Sequence, residues 1–222
     1  MKKILLVHAH PEVQSFNAAL AQRACTFFEG QGNEVKLLDL YAMGFNPVGD
    51  KHDFKTLQDT TYFKYQAEQL HACQQDAFAD DLKAHMELLE WCDVLVFNFP
   101  LWWFGLPAIL KGWVDRVFAM GLVYGGGKGV YDTGVYANKT AFLCMTTGGP
   151  KQAYNGGKNG DLDTILFPIQ HGMFYFAGMT VMPPFIAFSP VRQTPEERQE
   201  VLESYDVYLS GIFDAQPIYT NR

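Results

Sequence analysis

The chain has 222 residues, 48% of them hydrophobic and 18% charged, with a net charge of −7. That is apolar material enough for one substantial core and too ordered a composition for intrinsic disorder. The negative balance, with no basic run, excludes nucleic acid and anionic membrane as partners, because both need a positive footprint.

Ile4-Leu5-Leu6-Val7 is a short apolar run of the kind a doubly covered parallel strand shows. It is too short for a secretory core, and no stretch is long enough to span a bilayer. Cys25, Cys73, Cys92 and Cys144 lack C-x-x-C spacing, so neither a disulfide frame nor a zinc site is indicated. A reduced, cytoplasmic protein is expected.

The loop His8-Ala9-His10-Pro11 leads to a helix over roughly 15–29, ended by Gly30 and Gly32. Val35–Leu38 is the second strand, and 39–67 an irregular excursion. One further helix should run to about Trp91, and Val94–Phe99 is the third strand. Then comes Pro100-Leu101-Trp102-Trp103-Phe104, apolar and aromatic where a strand-to-helix link is usually short and polar. Pro107 suits a first helical turn, and Ile109, Leu110, Trp113, Val114, Val117 and Phe118 repeat at helical spacing behind it. A glycine-rich link, YGGGKGVYDTG, precedes the fourth strand at 141–145. The loop TTGGP follows, then a helix over about 161–176 and a fifth strand around 180–182. Thr194-Pro195-Glu196-Glu197 has the form of a capping box, and Val201, Leu202, Tyr205, Leu209 and Ile212 give the last helix a buried face.

Five apolar strands alternating with five helices predict an α/β fold: a doubly wound five-stranded parallel sheet with helices on both faces. The loops after strands one, three and four should meet at its carboxyl edge, where such sheets bind ligands. Ser15 can cap its helix and donate to phosphate, with His10 adding a ring N–H. The LWWF loop could sandwich a tricyclic ring. The amides of Thr146-Thr147-Gly148-Gly149, with Tyr154 and Asn159, could stabilise charge developing on it. Taken singly, each loop also fits ordinary structure: a plain cap, a hydrophobic plug or subunit contact, a turn. The first lacks both G-x-G-x-x-G and a Walker lysine.

HAHPEVQSFN, LYAMGFNP, FNFPLWWFGLPAILKGWVDRVF, VYDTG and TTGG followed by a tyrosine resemble the NAD(P)H:quinone oxidoreductases, the DT-diaphorase group of flavodoxin-like proteins. The resemblance covers about residues 3–219. It implies a single flavin-binding domain (1–222) and a homodimer with one FAD, in preference to FMN, per subunit. Active sites would be built from both chains. It also implies two-electron hydride transfer from NAD(P)H through the flavin to a quinone by a ping-pong route. On matching positions, His10, Ser15, Phe16 and Asn17 would hold the diphosphate and ribityl region. Pro100, Leu101, Trp102, Trp103 and Phe104 would wrap the isoalloxazine. Thr146, Thr147, Gly148 and Gly149 would bind its pyrimidine edge, and Arg198 would stand near the adenine. Tyr154 would stabilise charge on the reduced ring. Trp103 and Phe104 of one subunit, with Tyr124 and Phe176 of the other, would line the substrate slot.

Three departures stand out. Asn159 occupies the place of a family histidine, so it can donate a hydrogen bond but not relay a proton. A related branch begins a metal site with His-x-x-x-His; here the pattern is His171-x-x-x-Tyr175, and no metal is expected. The chain is also expected to lack the C-terminal domain of longer members. Two rival functions remain at this point: an ancillary subunit of a potassium efflux system, and a one-electron carrier.

Overall fold

The computed structural model describes residues 1–219; residues 220–222, which the expected 1–222 domain includes, lie outside the described residues. The strands are β1 Lys3–His8, β2 Glu34–Asp39, β3 Val94–Pro100 and β4 Thr140–Thr147, with a fifth position shared by two short segments. They pair in parallel in the order β2-β1-β3-β4, with the fifth position beyond β4. This is the 2-1-3-4-5 order of flavodoxin-like sheets, which places a switch point between β1 and β3.

Alternation along each strand divides the core in two. Ile4, Leu6, Val94, Val96 and Phe142 face helix α1 (Phe16–Gly30) and the last helix, where Leu20, Phe28, Tyr205 and Leu209 meet them. Leu5, Val7, Leu95, Phe97 and Leu143 face the opposite way. There they meet α3 (Asp80–Trp91) and α4 (Ala108–Val117), with Trp113 fully buried beneath Phe97.

Three expectations are corrected. The helix reaching Trp91 is two helices, α2 (Tyr65–Gln75) and α3, because Asp76 closes the first in the left-handed conformation at φ 53°. Aspartate tolerates that region better than most residues. The helix expected over 161–176 follows a short hairpin, β5 (Asn155–Gly157) with β6 (Gly160–Asp161), and stays α-helical only over α5, Leu162–Ile169. Pro168 brings no N–H for the carbonyl four residues back, and the chain loosens into a π-turn over Gln170–Tyr175.

The fifth strand, expected at 180–182, is β7 (Thr180–Val181) followed by β8 (Phe185–Phe188). Both pair with β4 and are parted by Pro183-Pro184, which cannot donate to a ladder. The last helix, α6 (Pro195–Gly211), has the expected capping box at Thr194 and Glu197. All four cysteines are free, and among the described residues no helix is long and apolar enough to cross a membrane.

Candidate functional site

The carboxyl ends of β1, β3 and β4 finish level, with His8 beside Asn98 and Pro100 beside Thr146. The three loops leaving them therefore start from one line. At the first, Ser15 caps α1 by accepting from the Ala18 N–H at 3.1 Å. No acidic residue occupies that first turn, so the positive end of the helix dipole is uncompensated. His10 Nδ1 lies 3.0 Å from the Glu12 N–H and 3.2 Å from the Glu12 carbonyl, so the backbone of Glu12 fixes the ring in either tautomer. Its pKa lies below the ordinary value: burial is the main cause and neighbouring His8 assists, while the backbone and charge of Glu12 oppose the shift.

Asn17, buried in the first turn, donates from Nδ2 to Thr146 Oγ1 at 2.8 Å and so ties the first loop to the third. Its Oδ1 is buried with no hydrogen-bond partner. A native structure rarely leaves such an atom unsatisfied, and here it marks where a ligand would complete the set.

The aromatic loop is a tight turn. Gly105 N–H donates to the Trp102 carbonyl at 3.0 Å, and both central residues are left-handed, Trp103 at φ 50° and Phe104 at φ 58°. Glycine or asparagine normally fills such positions, and a bulky residue there costs roughly 1–2 kcal/mol. Trp103 gains nothing within its own subunit to offset this, being 97% exposed. Trp103→Gly should therefore stabilise the chain by about 1 kcal/mol in urea unfolding. A loss of stability would mean that the indole packs somewhere in the subunit.

At the third loop, Thr146 and Thr147 are buried, and Thr147 Oγ1 donates to the Gly149 carbonyl at 2.8 Å. Gly148 has open space around it. A Cβ on Gly149 would stand 3.2 Å from the Tyr154 hydroxyl, so that ring lies against the glycine pair.

Together these loops and α6 enclose a cavity of ≈ 820 Å³. It runs from Pro100, Leu101, Trp102 and Gly148 past His10, Ser15, Phe16 and Asn17 to Arg198. The Arg198 guanidinium donates to the Gln193 carbonyl at 3.1 Å and has no carboxylate within salt-bridge distance among the described residues.

Other expected residues fall elsewhere. Trp103 and Phe104 do not line this cavity and are exposed. Gly149 and Tyr154, which lie against each other, are not part of its lining, and Asn159 is exposed on the β5–β6 hairpin. Tyr124 and Phe176, ring centroids 5.9 Å apart, line a second cavity of ≈ 570 Å³ together with Tyr65, Gln66 and Met173. His171 stacks on Phe167 at 4.4 Å, with Tyr131, Tyr175 and Tyr219 around it. Sequence reasoning missed Gln14, Pro190, Val191, Gln199 and Leu202 on the first cavity. Pro190 and Val191 follow β8, so recognising that strand would have added a fourth loop to the carboxyl edge.

Residues 2–209 match a family model described as having a flavodoxin-like fold. The chain is 39% identical over 220 residues to the ribosyldihydronicotinamide dehydrogenase [quinone] of Rattus norvegicus, covering 98% of this chain and 95% of that one. It is 38% identical over 221 residues to NAD(P)H dehydrogenase [quinone] 1 of Cavia porcellus, covering 99% and 80% respectively. A crystal structure from Klebsiella pneumoniae, of a protein provisionally assigned as a quinone reductase, superposes with a TM-score of 0.96 at 35% identity, covering 100% of this chain and 89% of that one.

Proposed function

The chain belongs to the NAD(P)H:quinone oxidoreductase family of flavodoxin-like proteins, and from that premise we propose that it is a flavin-dependent NAD(P)H dehydrogenase (quinone). The observation carrying this reading is the convergence of three loops on one cavity with an aromatic end, an amide-rich middle and a cationic end. When bound, a flavin supplies the two-electron redox chemistry between a reduced nicotinamide and a quinone.

The residues present suit that group. Asn17 has an unsatisfied buried oxygen, α1 offers an uncompensated N-terminus, and Arg198 is a cation without an acid partner among the described residues. The diphosphate would lie against His10, Ser15, Phe16 and Asn17. Pro100 to Trp102 would hold one face of the ring system, and Thr146 to Gly149 its pyrimidine edge. Backbone N–H groups there, with Tyr154, would stabilise negative charge as it develops. The cavity continues as far as α6 at Arg198, which favours FAD over FMN, because a mononucleotide would leave that end empty.

We read the chain as one flavin-binding domain with a short C-terminal extension, working as a homodimer. Trp103 and Phe104 do not share a cavity with Tyr124 and Phe176 in one chain, which suits a slot assembled from two. Light scattering should then give twice the chain mass of 25.1 kDa. The test of function is the absorption spectrum of purified protein, with the released flavin identified by mass. A yellow protein carrying FAD, bleached by NADPH and recoloured by menadione, is expected. A colourless protein that takes up no added flavin would overturn the reading.

His10 gives this site a pH dependence. In flavin-free protein its depressed pKa contributes stability above about pH 6.5, and that contribution is lost as pH falls through the lowered value. A bound diphosphate favours the charged ring instead. Flavin affinity, followed by fluorescence quenching between about pH 7.5 and about pH 5.5, should rise as pH falls in the parent and stay flat in His10→Gln. The same slope in both proteins would remove His10 from the phosphate site.

A further inference from the structure

The geometry points to a second, separate ligand site on the other side of the β1–α1 loop: a pocket that takes a nucleoside by its ribose diol, between His8 and Asp39. The pocket, of ≈ 360 Å³, lies between the first turns of α1 and the carboxyl end of β2. Gln14, Ser15 and Ala19 form the wall between it and the larger cavity, since they line both.

Its floor is a histidine that the proposed redox chemistry does not use. His8 is 3% exposed, and its Nδ1 lies 2.6 Å from Asn98 Oδ1. Asn98 Nδ2 donates to Cys144 Sγ at 3.4 Å, so the amide oxygen is the atom that faces the ring. Nδ1–H therefore donates, and Nε2 is left as a lone-pair acceptor with no hydrogen-bond partner among the described residues.

Asp39, the last residue of β2, is half-buried at the rim. Its Oδ1 accepts from the Ala42 N–H at 3.0 Å, whereas Oδ2 has no partner among the described residues. No lysine or arginine lines the pocket. An imidazole lone pair and a carboxylate oxygen make two acceptors, so the occupant must bring donors. Adjacent sugar hydroxyls are such a pair.

Position supports the same class. A carboxylate at the carboxyl end of the second strand, beside the first helix, is where dinucleotide folds hold a ribose. This loop lacks their glycine fingerprint, and the volume is near the lower end for small-molecule sites at roughly 300 Å³. A nucleoside is favoured over a dinucleotide. Val13, Ala18 and Leu37 offer its base an apolar wall.

The test is a titration of flavin-loaded protein with adenosine, followed through the His8 ring by long-range proton–nitrogen correlation. Saturable shifts at His8 are expected, with 2′-deoxyadenosine binding at least tenfold more weakly. Asp39→Asn keeps the acceptor for Ala42 and should also weaken adenosine at least tenfold. Ala18→Leu, which fills the pocket from the helix side, should abolish the shifts while the flavin spectrum stays unchanged. An unmoved His8 ring, equal binding of the deoxynucleoside, or a response that Asp39→Asn and Ala18→Leu both leave intact would overturn the site. Flavin content and menadione turnover report on the larger cavity separately, so failure here leaves that reading untouched.

Discussion

Replacing Asp53 with alanine should lower the unfolding free energy by about 3–5 kcal/mol, because it leaves a buried guanidinium with only the exposed Asp81, 3.9 Å away, as counter-charge. Arg116 and Asp53 are 3% and 1% exposed, and Nε and Nη2 of the arginine both donate to Asp53 Oδ1, at 2.9 and 2.7 Å. Arg116 Nη1 donates to the Asn46 carbonyl at 2.7 Å, and the Tyr65 hydroxyl donates to the other carboxylate oxygen. Burial, followed by that carboxylate, pushes the Tyr65 phenol well above its ordinary value, so it stays a donor. One ion pair thus ties the irregular segment 40–64 to α4, and Tyr65 ties it to α2. A domain's whole stability is about 5–15 kcal/mol, so the loss should be plain in urea unfolding. A change below about 1 kcal/mol would mean that water reaches Arg116 easily. The consequence reaches the second cavity, because Gly49 and Tyr65 are part of its lining.

Tyr154→Phe should slow reduction of bound flavin by NADPH about tenfold to a hundredfold, the scale of one lost hydrogen bond to developing charge. The hydroxyl lies beside Gly149, next to the amides proposed for the pyrimidine edge, and the ring is only half-buried. Phenylalanine keeps the ring contact with Phe188, whose centroid is 6.3 Å away, so the fold should be unaffected. Stopped-flow absorbance of the reductive half-reaction reads the effect. An unchanged rate would assign the stabilisation to the backbone amides alone.

The sheet and the larger cavity were legible in the sequence because their signals are local. Apolar runs mark β1, β3 and β4, and each unusual loop begins within two residues of a strand's end. What escaped was set by distance or by backbone. Asp53 and Arg116 are 63 residues apart and look like ordinary surface charges until the fold joins them. The left-handed pair Trp103-Phe104 contradicts local preference, as strained turns at functional sites do. The break at Asp76 carries no glycine or proline to announce it. The fifth strand expected around 180–182 is only its first part: the same edge position resumes at Phe185 beyond Pro183-Pro184.

That interrupted edge bears on how copies of the chain can associate. An exposed, continuous strand invites another strand to add to it and can seed aggregation. Here the outer rim is two residues, then Met182 and a proline pair, then four residues, too broken to template a ladder. The opposite rim, β2, carries Glu34 and Lys36, charges that discourage the same event. Crowded solutions should therefore favour face-to-face assembly through helices and loops over fibril growth.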